Sequence, residues 1–192
     1  MDPLRAVIRH FDDWLSRREG VTPFTDDPDV ILRVQVSFTP HALILPDRTI
    51  PAGAETLLLH AWNERMPVIP AEGPDFAYGF KLHQLTIASI NAVARHIMIT
   101  PSLQNIQAIG GVTVHISLKE ADGGRVMLER LGFTVMLYQR PFGAFGEFWE
   151  NFYTWWLMWT FNPASTRHRR LWNLQRTEFW MTSERFLEKY GT

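Results

Sequence analysis

His60-Ala61-Trp62-Asn63-Glu64-Arg65 is the densest run of chemically capable side chains in this sequence, and it ends a strongly apolar stretch. A histidine with a carboxylate in reach is the smallest apparatus for general acid–base work, because imidazole titrates near neutrality and the acid orients it. Strand ends are also where scaffolds hold such groups. On that reading His60 is the base of a small hydrolase or transferase, and Asn63 or Glu64 orients it. The plainer reading, which the rarity of catalytic lone-histidine clusters favours, has His60 and Asn63 bonding turn backbone while Glu64 pairs with Arg65. His83, His96 and His115 are potential companions, yet nothing in their spacing makes a metal site.

Other reaction signatures are missing. The sequence contains no HExxH, no His-x4-Asp, no His-His-x3-Asp and no G-x-S-x-G elbow. Gly110-Gly111 and Gly123-Gly124 are isolated pairs without the spacing of a phosphate loop or dinucleotide fingerprint. Leu131-Gly132-Phe133 resembles a step near the end of GNAT-type acetyltransferase folds, but the pyrophosphate loop Arg/Gln-x-x-Gly-x-Gly/Ala is missing. No cofactor and no metal follow from these residues.

A second feature is physical rather than catalytic. Phe148 to Phe161 reads FWENFYTWWLMWTF and holds Trp149, Trp155, Trp156 and Trp159, half of the eight tryptophans. Phe148, Trp149, Phe152, Trp155, Trp156 and Trp159 fall on one helical face, with Glu147, Glu150, Asn151 and Thr154 opposite. Each ring buries about 150–250 Å², worth at most about 4–6 kcal/mol, so six exceed a domain's net stability of about 5–15 kcal/mol. A fully wet face is therefore excluded. The rings must meet a core, a lipid surface, or a protein partner or apolar groove. The basic run Arg167-His168-Arg169-Arg170 follows, so Trp149, Trp155, Trp156 and Trp159 with Arg167, Arg169 and Arg170 are the expected contacts to anionic lipid or a partner. The helix is too short to span a bilayer, which takes about 20 apolar residues.

Elements must position these groups. Asp2 and Pro3 suit a helix start, and Leu4, Val7, Ile8, Phe11, Trp14 and Leu15 recur at helical spacing up to Gly20. Leu32, Val34, Val36 and Phe38 alternate with Arg33, Gln35 and Ser37, as on a half-buried strand. His41 to Leu45 and Glu55 to Trp62 give two more strands, suggesting an antiparallel meander or small barrel-like unit. Leu82 to Ile99 reads as a largely buried helix with a narrow polar stripe of Gln84, Asn91 and Arg95. Val112 to Leu118 alternates as a strand. Asp122-Gly123-Gly124 turns into a short helix that Gly132 caps, and Phe133 to Tyr138 is the next strand. A hinge-like loop, Pro141 to Gly146, enters the aromatic helix at about 145–161. A strand at Glu178 to Met181 and a helix from Ser183 to Tyr190 close the chain. The expected architecture is a single α+β domain over 1–192, an antiparallel or mixed sheet packed with helices.

Composition sets the outer limits. With 192 residues, 46% hydrophobic and 20% charged, the chain builds a globular core without staples. It has no cysteine, which removes disulfides, thiolate metal sites and a cysteine nucleophile. A formal charge of −1 gives no global field, and the arginines are segregated from the aromatics, so no nucleic acid is expected as partner. The charged N-terminus has no apolar signal region, which suggests a cytoplasmic protein, peripheral on the inner membrane if the aromatic helix meets lipid.

Five segments in order, ILRVQV (Ile31 to Val36), LPDRTIPAG (Leu45 to Gly53), LLLHAWNE (Leu57 to Glu64), ERLGFTV (Glu129 to Val135) and FWMTSERFLEKYG (Phe179 to Gly191), resemble the YkoP-like family of small bacterial domains. The family's function is poorly defined. Its members stand alone or beside polysaccharide deacetylases and glycosyltransferases, so the resemblance implies a role near cell-envelope carbohydrate or lipid metabolism and supplies no catalytic residues. The expected function is a non-catalytic accessory or binding protein at the cytoplasmic membrane face. The small enzyme with His60, and a structural subunit docking through the aromatic helix, are the alternatives.

Overall fold

Two hydrophobic cores lie on opposite faces of one sheet, and the side chains that separate them decide where the site falls. The computed structural model describes residues 3–113, 123–139, 143–166 and 176–191. Among these, five α-helices accompany a five-stranded mixed sheet and a two-stranded antiparallel one, an α+β architecture.

The N-terminal helix α1 (Pro3–Glu19) is followed by β1 (Leu32–Phe38), β2 (Leu43–Ile44), β3 (Thr49–Ile50) and β4 (Glu55–Ala61). No simple meander forms. β1 pairs antiparallel with β4, while β2 and β3 fold away as their own hairpin. The reason is local: Pro46-Asp47-Arg48 and Pro51-Ala52-Gly53 make tight turns that leave only two paired residues per hairpin strand. α2 (Phe76–Ile99) then crosses over to β5 (Ala108–Thr113), which runs parallel to β4, as a helical crossover requires. Asp75 caps α2 by accepting the Tyr78 amide hydrogen at 2.7 Å. α2 begins six residues before the sequence expectation, and that first part is not buried: Phe76 is 89% exposed.

After β5 come α3 (Gly123–Arg130), β6 (Thr134–Leu137), α4 (Gly143–Phe161), β7 (Thr177–Thr182) and α5 (Ser183–Tyr190). The strand order is β1-β4-β5-β7-β6. The strand expected at Val112 to Leu118 begins earlier, at Ala108, and its residues 114–118 lie outside the described ones, as do Asp2, Asp122 and Pro141. The expected hinge loop is already helical at Gly143. Gly132, at φ +94°, ends the α3 turn as anticipated.

The main core fills one face of the sheet. Leu57, Leu59, Ile109 and Met181 from the strands meet Ile90, Val93 and Ile97 of α2 and Phe186 and Tyr190 of α5. The other face has a smaller core, where Leu43, Leu45 and Ile50 of the hairpin segment pack with Ala108 and Trp180. The rest of that second face is mostly polar, Val112 apart.

Candidate functional site

The polar part of the second sheet face is built by register. Arg33 of β1 lies directly opposite His60 of β4, so both side chains share a face, and Gln35, two residues along, joins them. From the alternation alone these positions belong on the solvent side of β1. Instead α1 and α4 cover them, and Arg33 is only 7% exposed. α1 contributes Asp12, Ser16 and Glu19 at i, i+4 and i+7, while α4 contributes Tyr153, Thr154, Leu157 and Met158. With Asn63, Val112, Thr113 and Arg176 these residues line an open cleft of about 440 Å³. That volume is in the range of small-ligand sites, about 300–1,000 Å³.

Paired charges line it. The Arg33 guanidinium faces the Asp12 carboxylate at 3.7 Å, and the Tyr153 hydroxyl donates to the other Asp12 oxygen at 2.6 Å. Burial, together with that bond to a carboxylate, raises the Tyr153 pKa and keeps the phenol protonated. Asp12 Oδ2 and Arg33 Nε are both buried without a hydrogen-bond partner. Arg176 approaches from the strand side, its Nε 3.2 Å from Glu150 and donating to Asn151 at 3.2 Å, its Nη2 donating to Thr154 at 3.0 Å. Tyr138 donates to the same Glu150 carboxylate at 3.3 Å, and burial with that neighbouring charge pushes its pKa up to about 12.

His60 takes its place in this cavity, but not with the partner that the sequence suggests. Its Nε2 lies 2.9 Å from the Gln35 side-chain oxygen. With that oxygen accepting, the neutral ring is protonated on Nε2 and Nδ1 is left as an acceptor. Burial, then the neighbouring Arg33 charge, lowers the His60 pKa to about 4. A base that weak has little driving force at neutral pH. Asn63 lines the cavity, whereas Glu64 is exposed and stands with Asp12 and Asp13, their carboxylate oxygens within 4.8 Å of one another. Arg33 already offsets the Asp12 charge in that group. The expected Glu64–Arg65 pair does not form among the described residues: Arg65 donates instead to the carbonyls of Asp27 (2.5 Å) and Val30 (3.2 Å) and stacks over Trp62 at 3.6 Å.

The aromatic helix, whose rings the sequence leaves open to core, lipid or partner, lines the cleft with Tyr153, Thr154, Leu157 and Met158. Its polar stripe faces inward at Asn151, 8% exposed, where Arg176 bonds Asn151 and Thr154, and the apolar Met158 is buried farther along. Phe148, Phe152, Trp155, Trp156 and Trp159 are half-buried, and Trp149 is 52% exposed. Arg167, Arg169 and Arg170 lie outside the described residues. α1 adds to this outer surface. Ile8 and Asp12 face in, while Val7, Phe11 and Trp14 are exposed, Phe11 stacking on Trp14 at 5.8 Å and meeting Tyr153 of α4 at 6.0 Å. Among the described residues no helix is long and apolar enough to cross a membrane.

Arg33, Gln35, Asp12, Ser16, Tyr153 and Arg176 escape the sequence reading. Their signal is a polar stripe on each of two helices together with a polar strand face, which only matters once the three are stacked. Comparison with protein-family models, curated proteins and solved structures finds no match for this chain. The YkoP-like resemblance therefore rests on its five segments.

Proposed function

We propose that this is a binding protein whose cleft, between α1, α4 and the polar sheet face, holds a small polar ligand. One observation carries the reading: Arg33, a guanidinium with five donors, lines the cavity more than nine-tenths buried and makes no hydrogen bond among the described residues. Burying such donors without hydrogen-bond acceptors costs about 1–3 kcal/mol, so a fold keeps them where something else is to be bound. Neutral His60, paired with an amide, serves as a hydrogen-bonding group rather than as a base. The envelope carbohydrate or lipid setting implied by the YkoP-like resemblance is where such a ligand would be sought. Native mass spectrometry tests the reading. The wild-type protein should carry a small-molecule adduct that Ser16→Trp, which fills the cleft, loses while keeping its circular dichroism; identical adduct-free spectra for both contradict it.

A second reading has its own support. Phe11 (44% exposed), Trp14 (49%) and Trp149 (52%) form an outer aromatic surface on α1 and α4, with Arg9 and Arg18 held over neighbouring rings. Indoles beside arginines suit an anionic bilayer surface on the cytoplasmic side. In flotation with phosphatidylglycerol vesicles the wild type should rise, and Phe11→Ser/Trp14→Ser/Trp149→Ser should stay behind. Equal behaviour of the two removes the membrane role and leaves the cleft untouched.

A further inference from the structure

We infer that the ligand of the cleft is uncharged and rich in hydroxyl groups, a conclusion that rests on the binding reading above and adds the chemical class. Charge is the first ground. The two guanidinium groups that reach the cavity each have a carboxylate of their own, Arg33 with Asp12 at 3.7 Å and Arg176 with Glu150 at 3.2 Å. Glu19 adds another acid to the lining. An incoming phosphate or carboxylate meets no uncompensated cation, and it must approach the two carboxylates on the wall, Asp12 and Glu19. A cationic ligand gains little from Asp12 and Glu150, whose charges Arg33 and Arg176 already offset, and meets only the exposed Glu19 beyond them.

Hydrogen bonding is the second ground. Arg33 offers donors that nothing else in the described structure accepts, and Asp12 Oδ2, 3.7 Å away, is an acceptor with no donor. A hydroxyl can give its hydrogen to a carboxylate while accepting from a guanidinium, so one group can bridge such a pair once the side chains adjust. Ser16 and Asn63 add uncharged groups that both donate and accept. The remaining wall is apolar, made by Leu15, Val21, Leu157 and Met158. A ring with C–H faces and hydroxyl edges has the same division of surface.

Isothermal titration separates the classes. The probes are glucose and N-acetylglucosamine as neutral polyols, and inorganic phosphate and glucose 6-phosphate as anions. At least one neutral sugar should bind at millimolar concentration, glucose 6-phosphate at least tenfold more weakly than glucose, and phosphate should not compete. Asp12→Asn/Arg33→Gln removes both charges together, so no unpaired ion is buried, and it should weaken sugar binding at least tenfold. Ser16→Trp should abolish it. Tighter binding of either anion overturns the class while the adduct seen by native mass spectrometry keeps the binding reading standing. Absence of any heat from both sugars, or unchanged sugar affinity in Ser16→Trp, overturns it as well.

Discussion

His60 is the residue at which burial and charge meet most plainly. Folding moves its pKa from the ordinary 6.5 down to about 4, chiefly by removing it from water. The unfolded chain therefore takes up a proton below about 6.5 that the native state refuses until about 4. Stability from this site is complete above pH 6.5 and falls as acid is added, by at most about 3 kcal/mol over that interval. Urea unfolding at pH 7 and pH 4.5 should show the wild type losing more stability than His60→Gln; parallel losses contradict the buried placement. Glu178 is the contrasting case. This 2%-exposed carboxylate accepts from the Trp180 indole at 2.9 Å and the Gln139 amide at 3.2 Å, with His41 at 3.5 Å. Its partners are all present, so it reads as a satisfied structural acid, whereas Arg33 does not.

Elements show what periodicity can and cannot reveal. α1, β1, β4 and α5 follow from their apolar spacing, because a core selects one face of each. The first part of β5, before Val112, was hidden, since Gly110-Gly111 looks like punctuation. There the glycines allow close approach: a Cβ on Gly110 would run into the Phe179 carbonyl and the Trp180 ring. Gly110→Ala should therefore cost about 3 kcal/mol or leave the protein insoluble. Gly79, on the exposed start of α2, has open space around its Cβ, and Gly79→Ala should stabilise by about 0.5–1 kcal/mol. Thermal melts of both variants check the opposite signs; a harmless Gly110→Ala would contradict the β5–β7 packing. α4 misleads for a different reason. Its rings dominate any hydrophobic reading, yet the helix turns Asn151 and Thr154 inward because Arg176 waits there on a segment 22 residues or more away.

At the scale of the molecule the sheet divides the chain into unlike halves. One face is closed by α2, α5 and the main core, and it could be anticipated from alternating Val, Leu and Ile. The other carries the hairpin, the α1–α4 layer and the cleft, with an aromatic outer surface beyond them. Of this half, His60 and Asn63 were legible as candidates, since the sequence clusters them at a strand end. The parts that make a cleft of them were not, because Asp12, Arg33, Tyr153 and Arg176 are brought together only by tertiary packing. The most direct test is a chemical-shift map of ¹⁵N-labelled protein titrated with N-acetylglucosamine. The side-chain amides of Gln35 and Asn63 and the backbone of β1 and α1 around Arg33 and Ser16 should move together and saturate. Shifts confined to the α2–α5 face or to the Trp14 and Trp149 surface would contradict the assignment of the cleft.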